Sequence, residues 1–208
     1  MSKAYELTAT HVIKNLKKRG MEGFFCETKE DALKQALALI NEGDSVAWGG
    51  SMTLAETGIR EALINGPYDV INRELAKTPE EKQALKGKIA ACDAFFMSSN
   101  AVTLDGELVN IDGAGSRLSY LVYGPEKVIV VAGMNKLVKD VDEARKRIRV
   151  HACPPNGVRL GLETPCAKTG VCAECFSPQC MCASIVETRF SRFPGRINVI
   201  LVGESLGY

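Results

Sequence analysis

The chain has 208 residues, of which 46% are hydrophobic and 25% are charged, and its formal net charge is +1. This composition is typical of a globular protein that is long enough to bury a substantial core. So small a net charge gives no support to nucleic-acid binding, and no stretch approaches the roughly 20 apolar residues of a membrane span. The polar N-terminus lacks the apolar core of a signal peptide. We therefore expect a cytoplasmic protein with no nucleic-acid partner.

Apolar periodicity predicts helices and strands that alternate along most of the chain. Helices are predicted at 4–19, 28–43, 53–64, 79–92, 116–123 and 141–148. Strands are predicted at 22–27, 45–48, 68–72, 94–98, twice within 101–112, and at 128–131, 185–190 and 197–202. This alternation predicts an α/β fold with a largely parallel sheet that is covered on both faces.

The first glycine-rich turn follows the predicted strand at 45–48 and begins a helix. Backbone N–H groups exposed in such a turn favour an anion such as a phosphate or a carboxylate. The turn matches neither a Walker loop nor a complete dinucleotide-binding fingerprint. A plain tight turn, with a serine as an ordinary helix cap, fits the pattern equally well. The predicted anion-binding residues here are Gly49, Gly50, Ser51 and Thr53.

A second group of small and polar residues lies between 98 and 117, around the hairpin signal Asp105-Gly106. Asp112 precedes another glycine turn and is a candidate general base. A carboxylate beside a helix N-terminus tends to stay ionised, however, which weakens it as a base. The predicted ligand-facing residues of this group are Asn100, Asn110, Asp112, Gly113, Gly115, Ser116 and Arg117.

Five of the eight cysteines lie close together in a polar stretch that interrupts the strand–helix alternation, at 166, 172, 175, 180 and 182. The pair Cys172-x2-Cys175 is a familiar half-site, because a tight turn can direct both thiolates at one metal. The spacing does not match the bacterial ferredoxin pattern, so zinc, an iron–sulfur cluster and free or redox-active thiols all stay open. His151 is either a further ligand or an exposed residue, whereas Cys26 and Cys92 are predicted to be buried packing residues.

Four segments resemble the LUD (lactate-utilisation) domain family in its cysteine-rich version: 100–117, 133–138, 164–182 and 196–204. The resemblance extends over nearly the whole chain. It implies a NagB/RpiA/CoA-transferase-like sandwich, formed by one domain over 1–208, with a cysteine-rich metal lobe inserted at about 151–183. It also implies the ligand set Cys166, Cys172, Cys175 and Cys182, with Cys180 as the spare thiol.

The resemblance implies a role in oxidising lactate or another small organic acid, as part of an iron–sulfur-dependent system with iron–sulfur oxidoreductase partner proteins. The residues themselves also fit a stand-alone isomerase- or transferase-like enzyme for a phosphorylated or CoA-linked small molecule. In that case Asp112 is the acid/base, Arg117 binds the anion and zinc is structural. A third interpretation is a binding module that docks through the metal lobe. The sequence leaves the oligomeric state open, a homo-oligomer included.

Overall fold

The computed structural model describes residues 2–208 and confirms that strands and helices alternate. A sheet of six strands, all paired in parallel, has the order β1-β10-β7-β4-β2-β3. The largely parallel sheet predicted from the sequence is therefore confirmed. The strands, numbered along the chain, are β1 Glu22–Cys26, β2 Ser45–Trp48, β3 Asp69–Val70, β4 Ala94–Met97, β5 Ala101–Thr103, β6 Leu108–Asp112, β7 Lys127–Gly133, β8 Leu137–Val138, β9 Ser184–Thr188 and β10 Ile197–Val202.

Helices connect these strands, and most begin close to their predicted positions. The predicted single helix at 53–64 is wrong, because the chain breaks at Gly58, whose φ of +71° is left-handed and ends the first segment. Thr28 caps its helix as predicted, although that helix ends at Leu37. The helices are α1 Ser2–Lys18, α2 Lys29–Leu37, α3 Met52–Glu56, α4 Ile59–Asn65, α5 Pro79–Ala90, α6 Ser116–Val122, α7 Val141–Arg147, α8 Cys153–Arg159 and α9 Pro165–Thr169.

A second sheet of four strands, ordered β8-β5-β6-β9, lies beside the six-stranded one. Strands β5 and β6 form the predicted antiparallel hairpin, with Gly106 at φ +83° in its turn. Strand β9 pairs antiparallel with β6, which sets Ser184 opposite Asp112. Sequence periodicity predicts the individual strands but not their partners, and the separate sheet was not predicted.

The core fills both faces of the six-stranded sheet. Along the fully buried strand β10, Val199 and Leu201 pack into one apolar cluster, while Ile200 and Val202 pack into the other. This division follows the two-residue repeat of a strand, whose successive side chains point to opposite faces. A strand that is apolar at nearly every position, here all but Asn198, is typical of a parallel sheet covered on both sides.

The segment between α7 and β9 is more helical than the sequence suggested. A π-helical turn at Ile148–Ala152 leads directly into α8, and α9 follows. Residues 171–183 form neither helix nor strand. Among residues 2–208, no helix has the length and apolar character that crossing a membrane requires.

Candidate functional site

The carboxyl ends of three neighbouring parallel strands surround the main cavity, which has a volume of about 290 Å³. The turn at 49–53 follows β2, residues 98–100 follow β4, and residues 134–136 follow β7. Ligands of open α/β sheets bind at this edge, where the connections diverge from the strand ends. Fold topology thus collects segments that are far apart in the sequence.

Most of the residues predicted to bind a ligand do line this cavity. Three do not. The Gly49 N–H donates to the Phe96 carbonyl at 2.9 Å, and Asn110 is fully buried. Gly115 has a left-handed backbone conformation and lies at the N-cap of α6. The predicted residues that line the cavity are Gly50, Ser51, Thr53, Asn100, Asp112, Gly113, Ser116 and Arg117.

Asp112 accepts three backbone hydrogen bonds at the start of α6. Its Oδ1 accepts from Ala114 N at 3.0 Å and Gly115 N at 2.8 Å, while Oδ2 accepts from Arg117 N at 3.0 Å. This capping role accounts for Asp112 without any proton transfer. Its role as general base stays a prediction.

Arg117 joins the two sheets through its guanidinium group. Nη1 donates to Ser98 O at 2.6 Å and Asn110 Oδ1 at 3.0 Å, and Nη2 donates to Asn100 Oδ1 at 2.9 Å and Ile111 O at 2.7 Å. Burial lowers the pKa of Arg117, partly offset by the negative charge of Asp112. With four protein acceptors already engaged, Arg117 holds the cavity wall, and its role as an anion clamp stays a prediction.

Lys136 is the residue of the cavity that sequence reasoning missed. Its side chain is 3% exposed, and Nζ donates to Thr53 Oγ1 and to Ser98 Oγ, both at 2.9 Å. Burial, followed by the positive charges of Arg147 and Arg117, lowers the pKa of Lys136 to about 7. An amine with this pKa can both accept and donate a proton at neutral pH. A lone lysine after an apolar strand has no spacing pattern that would have identified it.

The C-terminal residues cover Lys136. Gly207 lies against it, since a Cβ placed on that glycine would stand 3.4 Å from Lys136 Nζ. Asn135 Oδ1 accepts from Leu206 N at 3.1 Å, and Glu56 Oε2 accepts from Gly207 N at 2.8 Å. These contacts exclude water from one side of the amine, which is why its charged form is disfavoured.

Two further arginines, Arg73 and Arg159, also line the cavity without having been predicted. Arg159 donates to Asn156 Oδ1, with Nη2 at 2.7 Å. Arg73 is half-buried, and no hydrogen-bond acceptor or carboxylate in the described part of the chain pairs with it. Because a half-buried guanidinium without a partner favours an incoming anion, Arg73 is the best-placed anion-binding group here.

Six cysteine thiols line a second, smaller cavity of about 20 Å³. The smaller cavity adjoins the main one, because Cys153 and Met181 line both. Within residues 2–208, no three histidine, cysteine, aspartate or glutamate side chains are placed to hold one metal ion. The thiols thus surround one space without forming a completed coordination geometry. They are Cys153, Cys166, Cys172, Cys175, Cys180 and Cys182.

As a set of donors, these six thiols fit a soft metal or an iron–sulfur cluster, which prefer sulfur ligands. Burial raises the pKa of Cys153 to about 12, with a further contribution from the nearby Cys182. His151 is exposed and does not line the small cavity. Cys26 and Cys92 are buried packing residues, as predicted.

Comparisons with known proteins agree on the fold. The family model described as the LUD domain matches residues 9–202. A DUF162 family protein from Deinococcus radiodurans has a similar structure, with a TM-score of 0.56 and 15% sequence identity over 95% of this chain and 98% of that one. eIF2B delta from Chaetomium thermophilum reaches a TM-score of 0.36 and 16% identity over 67% of this chain and 54% of that one, which is too distant to inform the function. No curated protein matches.

Proposed function

This chain belongs to the LUD domain family, and we propose that it binds a small organic acid in the main cavity and serves in its oxidation. Lactate, or a closely related 2-hydroxy acid, is the substrate class that the family suggests. The observation that carries the proposal is the buried Lys136 amine, held between two hydroxyl groups at the end of β7 and covered by the C-terminal residues.

Lys136 supplies the proton transfer. Oxidation of a 2-hydroxy acid to a 2-oxo acid removes two protons and two electrons: Lys136 takes the hydroxyl proton, and the C2 hydrogen with its electron pair leaves as a hydride to a two-electron acceptor that an oxidoreductase partner would have to carry. With its pKa lowered to about 7, a large share of Lys136 is neutral at physiological pH and can accept the hydroxyl proton. Thr53 and Ser98 hold the amine in place, and each can pass on a hydrogen bond to the substrate hydroxyl.

Two arginines that line the main cavity supply the positive charge that selects an acid. Arg73 lines the cavity with no protein partner among the described residues, so its guanidinium can pair with a carboxylate. The positive charge of Arg117, fixed by four hydrogen bonds, adds to the field in the same cavity. A small carboxylate therefore meets positive charge and the Lys136 acid/base group in one cavity.

The six thiols of the small cavity would hold the cofactor that the family context suggests, an iron–sulfur cluster, or alternatively zinc. When bound, a cluster supplies one-electron transfer, whereas zinc would only order residues 171–183. Iron–sulfur partner proteins, a homo-oligomer and the NagB/RpiA/CoA-transferase-like assignment of the fold stay predictions.

Calorimetric titration with L-lactate, pyruvate and acetate tests the proposal. We expect the wild type to bind the 2-hydroxy and 2-oxo acids, and Arg73→Met to weaken binding by about 10- to 150-fold, since a charge-assisted pair contributes about 1.5 to 3 kcal/mol. The control is Arg192→Met, which removes an exposed arginine outside both cavities. Equal affinities in the Arg73 and Arg192 variants, or no binding of any of these acids, would contradict the proposal.

One observation favours a second candidate, an isomerase- or transferase-like reaction on a phosphorylated or CoA-linked molecule. A mostly apolar groove of about 290 Å³ continues from the main cavity past Arg73 and Ser116. Lys82 and Lys86 line this groove and provide charge for a longer anionic ligand. Tighter binding of CoA esters or sugar phosphates than of lactate, with loss of that preference in a Lys82→Met/Lys86→Met double variant, would favour this candidate.

A further inference from the structure

Of the three cysteines outside the Cys166–Cys182 run, Cys153 is the one that lines both cavities. Cys153 lies 13 residues before that run in the sequence, yet it lines the same small cavity as the other five thiols. It also lines the main cavity beside Ala152 and Asn156. Cys153 thus forms part of the wall between the proposed substrate site and the thiol cluster.

We propose that Cys153 is a ligand of the metal or cluster held by the cysteine run, so that the bound group borders the main cavity. The apolar cluster around Cys153 includes Cys166 and Cys182, the two thiols that pack against it. Cys172, Cys175 and Cys180 also line the small cavity. This ligand set differs from the one expected from the family pattern, in which Cys153 has no part.

The local backbone supports a fixed role for Cys153. It is 3% exposed and begins α8, directly after the π-helical turn at Ile148–Ala152. Single π-helical turns are rare and are found frequently at functional sites. The Cys172–Cys182 part of the run lies in a segment without helix or strand, whose thiols can adjust around a bound group. A thiol fixed by a helix and a loop of irregular structure can close on a metal, even though no three ligands among residues 2–208 are in place without it.

The position of Cys153 carries a consequence that rests on the proposed function. A carboxylate bound in the main cavity would lie next to a thiolate ligand of the metal. Its negative charge would then change the electronic spectrum of the bound group, because charge and hydrogen bonding near a ligand tune a metal site. The shift would be absent for an anion that binds elsewhere on the surface.

The test is elemental analysis of anaerobically purified and Fe²⁺/sulfide- or Zn²⁺-reconstituted protein, followed by X-ray absorption at the edge of the metal found. Cys153→Ser is compared with Cys92→Ser, which replaces another buried cysteine that does not line the small cavity. We expect Cys153→Ser to lose at least half of the bound metal, or to keep it with one fewer sulfur neighbour. Cys92→Ser should retain the wild-type values.

Two results would overturn the proposal: unchanged metal content and sulfur number in Cys153→Ser, or a wild-type chain that binds no metal after either reconstitution. Circular dichroism of both variants shows whether they fold. If Cys153→Ser does not fold, Cys153→Ala is measured in the same way. Adding pyruvate should shift the absorption spectrum of the iron-loaded protein, or of the Co²⁺-substituted protein if zinc is the metal found. If the spectrum does not shift although Cys153→Ser loses metal, the bound group does not lie beside the substrate. The calorimetric titration tests the proposed function independently of this result.

Discussion

Replacing Lys136 by methionine should remove a pH dependence from the stability of the fold. In the native state the pKa of Lys136 is lowered to about 7, whereas the unfolded chain has the ordinary value of 10.5. Between these values the unfolded state binds more protons, so raising the pH stabilises the native wild type. The slope approaches about 1.4 kcal/mol per pH unit, which corresponds to a gain of about 2 kcal/mol from pH 7 to pH 9.

Urea unfolding at pH 7, 8 and 9, under reducing anaerobic conditions, measures this gain in both proteins. The buried thiols act in the opposite direction, because their native pKa is raised and their stabilisation is lost as the unfolded thiols ionise. Burial raises the pKa of Cys26 to about 11 and that of Cys92 to about 12. These contributions are shared by both proteins, so the difference between the wild type and Lys136→Met isolates the lysine.

Parallel pH profiles for the wild type and Lys136→Met would refute the reasoning, since they would mean that Lys136 titrates alike in the folded and unfolded states. A direct measurement does not depend on how the variant folds. Carbon-13 labelling of the lysine side chains of the wild type should reveal one ε-carbon that titrates with a midpoint near 7. Its absence would equally contradict a neutral amine in the cavity.

Four further substitutions test packing and helix stability in the fold, each measured by thermal unfolding. Arg117→Met leaves four protein acceptors without their donor and should cost about 3 kcal/mol, whereas the exposed control Arg192→Met should change stability little. Gly133→Ala should cost about 2 kcal/mol, because its Cβ would lie 2.6 Å from the Glu204 carbonyl, whereas Gly87→Ala in α5 has open space and should stabilise the chain by about 1 kcal/mol. Thr78→Ala removes half of a capping box and should cost about 1 kcal/mol. An unchanged melting temperature for Arg117→Met or Gly133→Ala, or a lowered one for Gly87→Ala, would show that the contacts described here do not govern stability.

Local signals in the sequence were sufficient for much of the fold. Thr28 caps its helix, the Asp105-Gly106 dipeptide forms its hairpin turn, and the apolar run at 197–202 forms a buried parallel strand. Each of these depends on residues that lie close together in the chain. The break at Gly58 was missed because a single glycine within an apolar helical pattern can be tolerated in a continuous helix, at a cost of about 1 kcal/mol.

The residues of the candidate site were likewise predictable only in part from the sequence. The two glycine turns were identified because glycines between a strand and a helix start can be recognised in the sequence. Most of the residues predicted in these turns line the cavity. Gly49 and Asn110 were placed in the ligand set because of their neighbours in the sequence. The structure turns the Gly49 N–H to a strand carbonyl and buries Asn110 beneath Arg117.

The α/β character, the cap and turn positions and the concentration of thiols follow from short-range propensity and spacing, which can be read along the chain. Folding alone brings particular strand ends together, and it therefore places Lys136, Arg73 and Cys153 in one cavity with the glycine turns. The pKa of Lys136 depends on the residues around it, which come from α3, the turn after β4 and the C-terminus. No spacing rule connects such distant residues, since burial and charge act through space rather than along the chain.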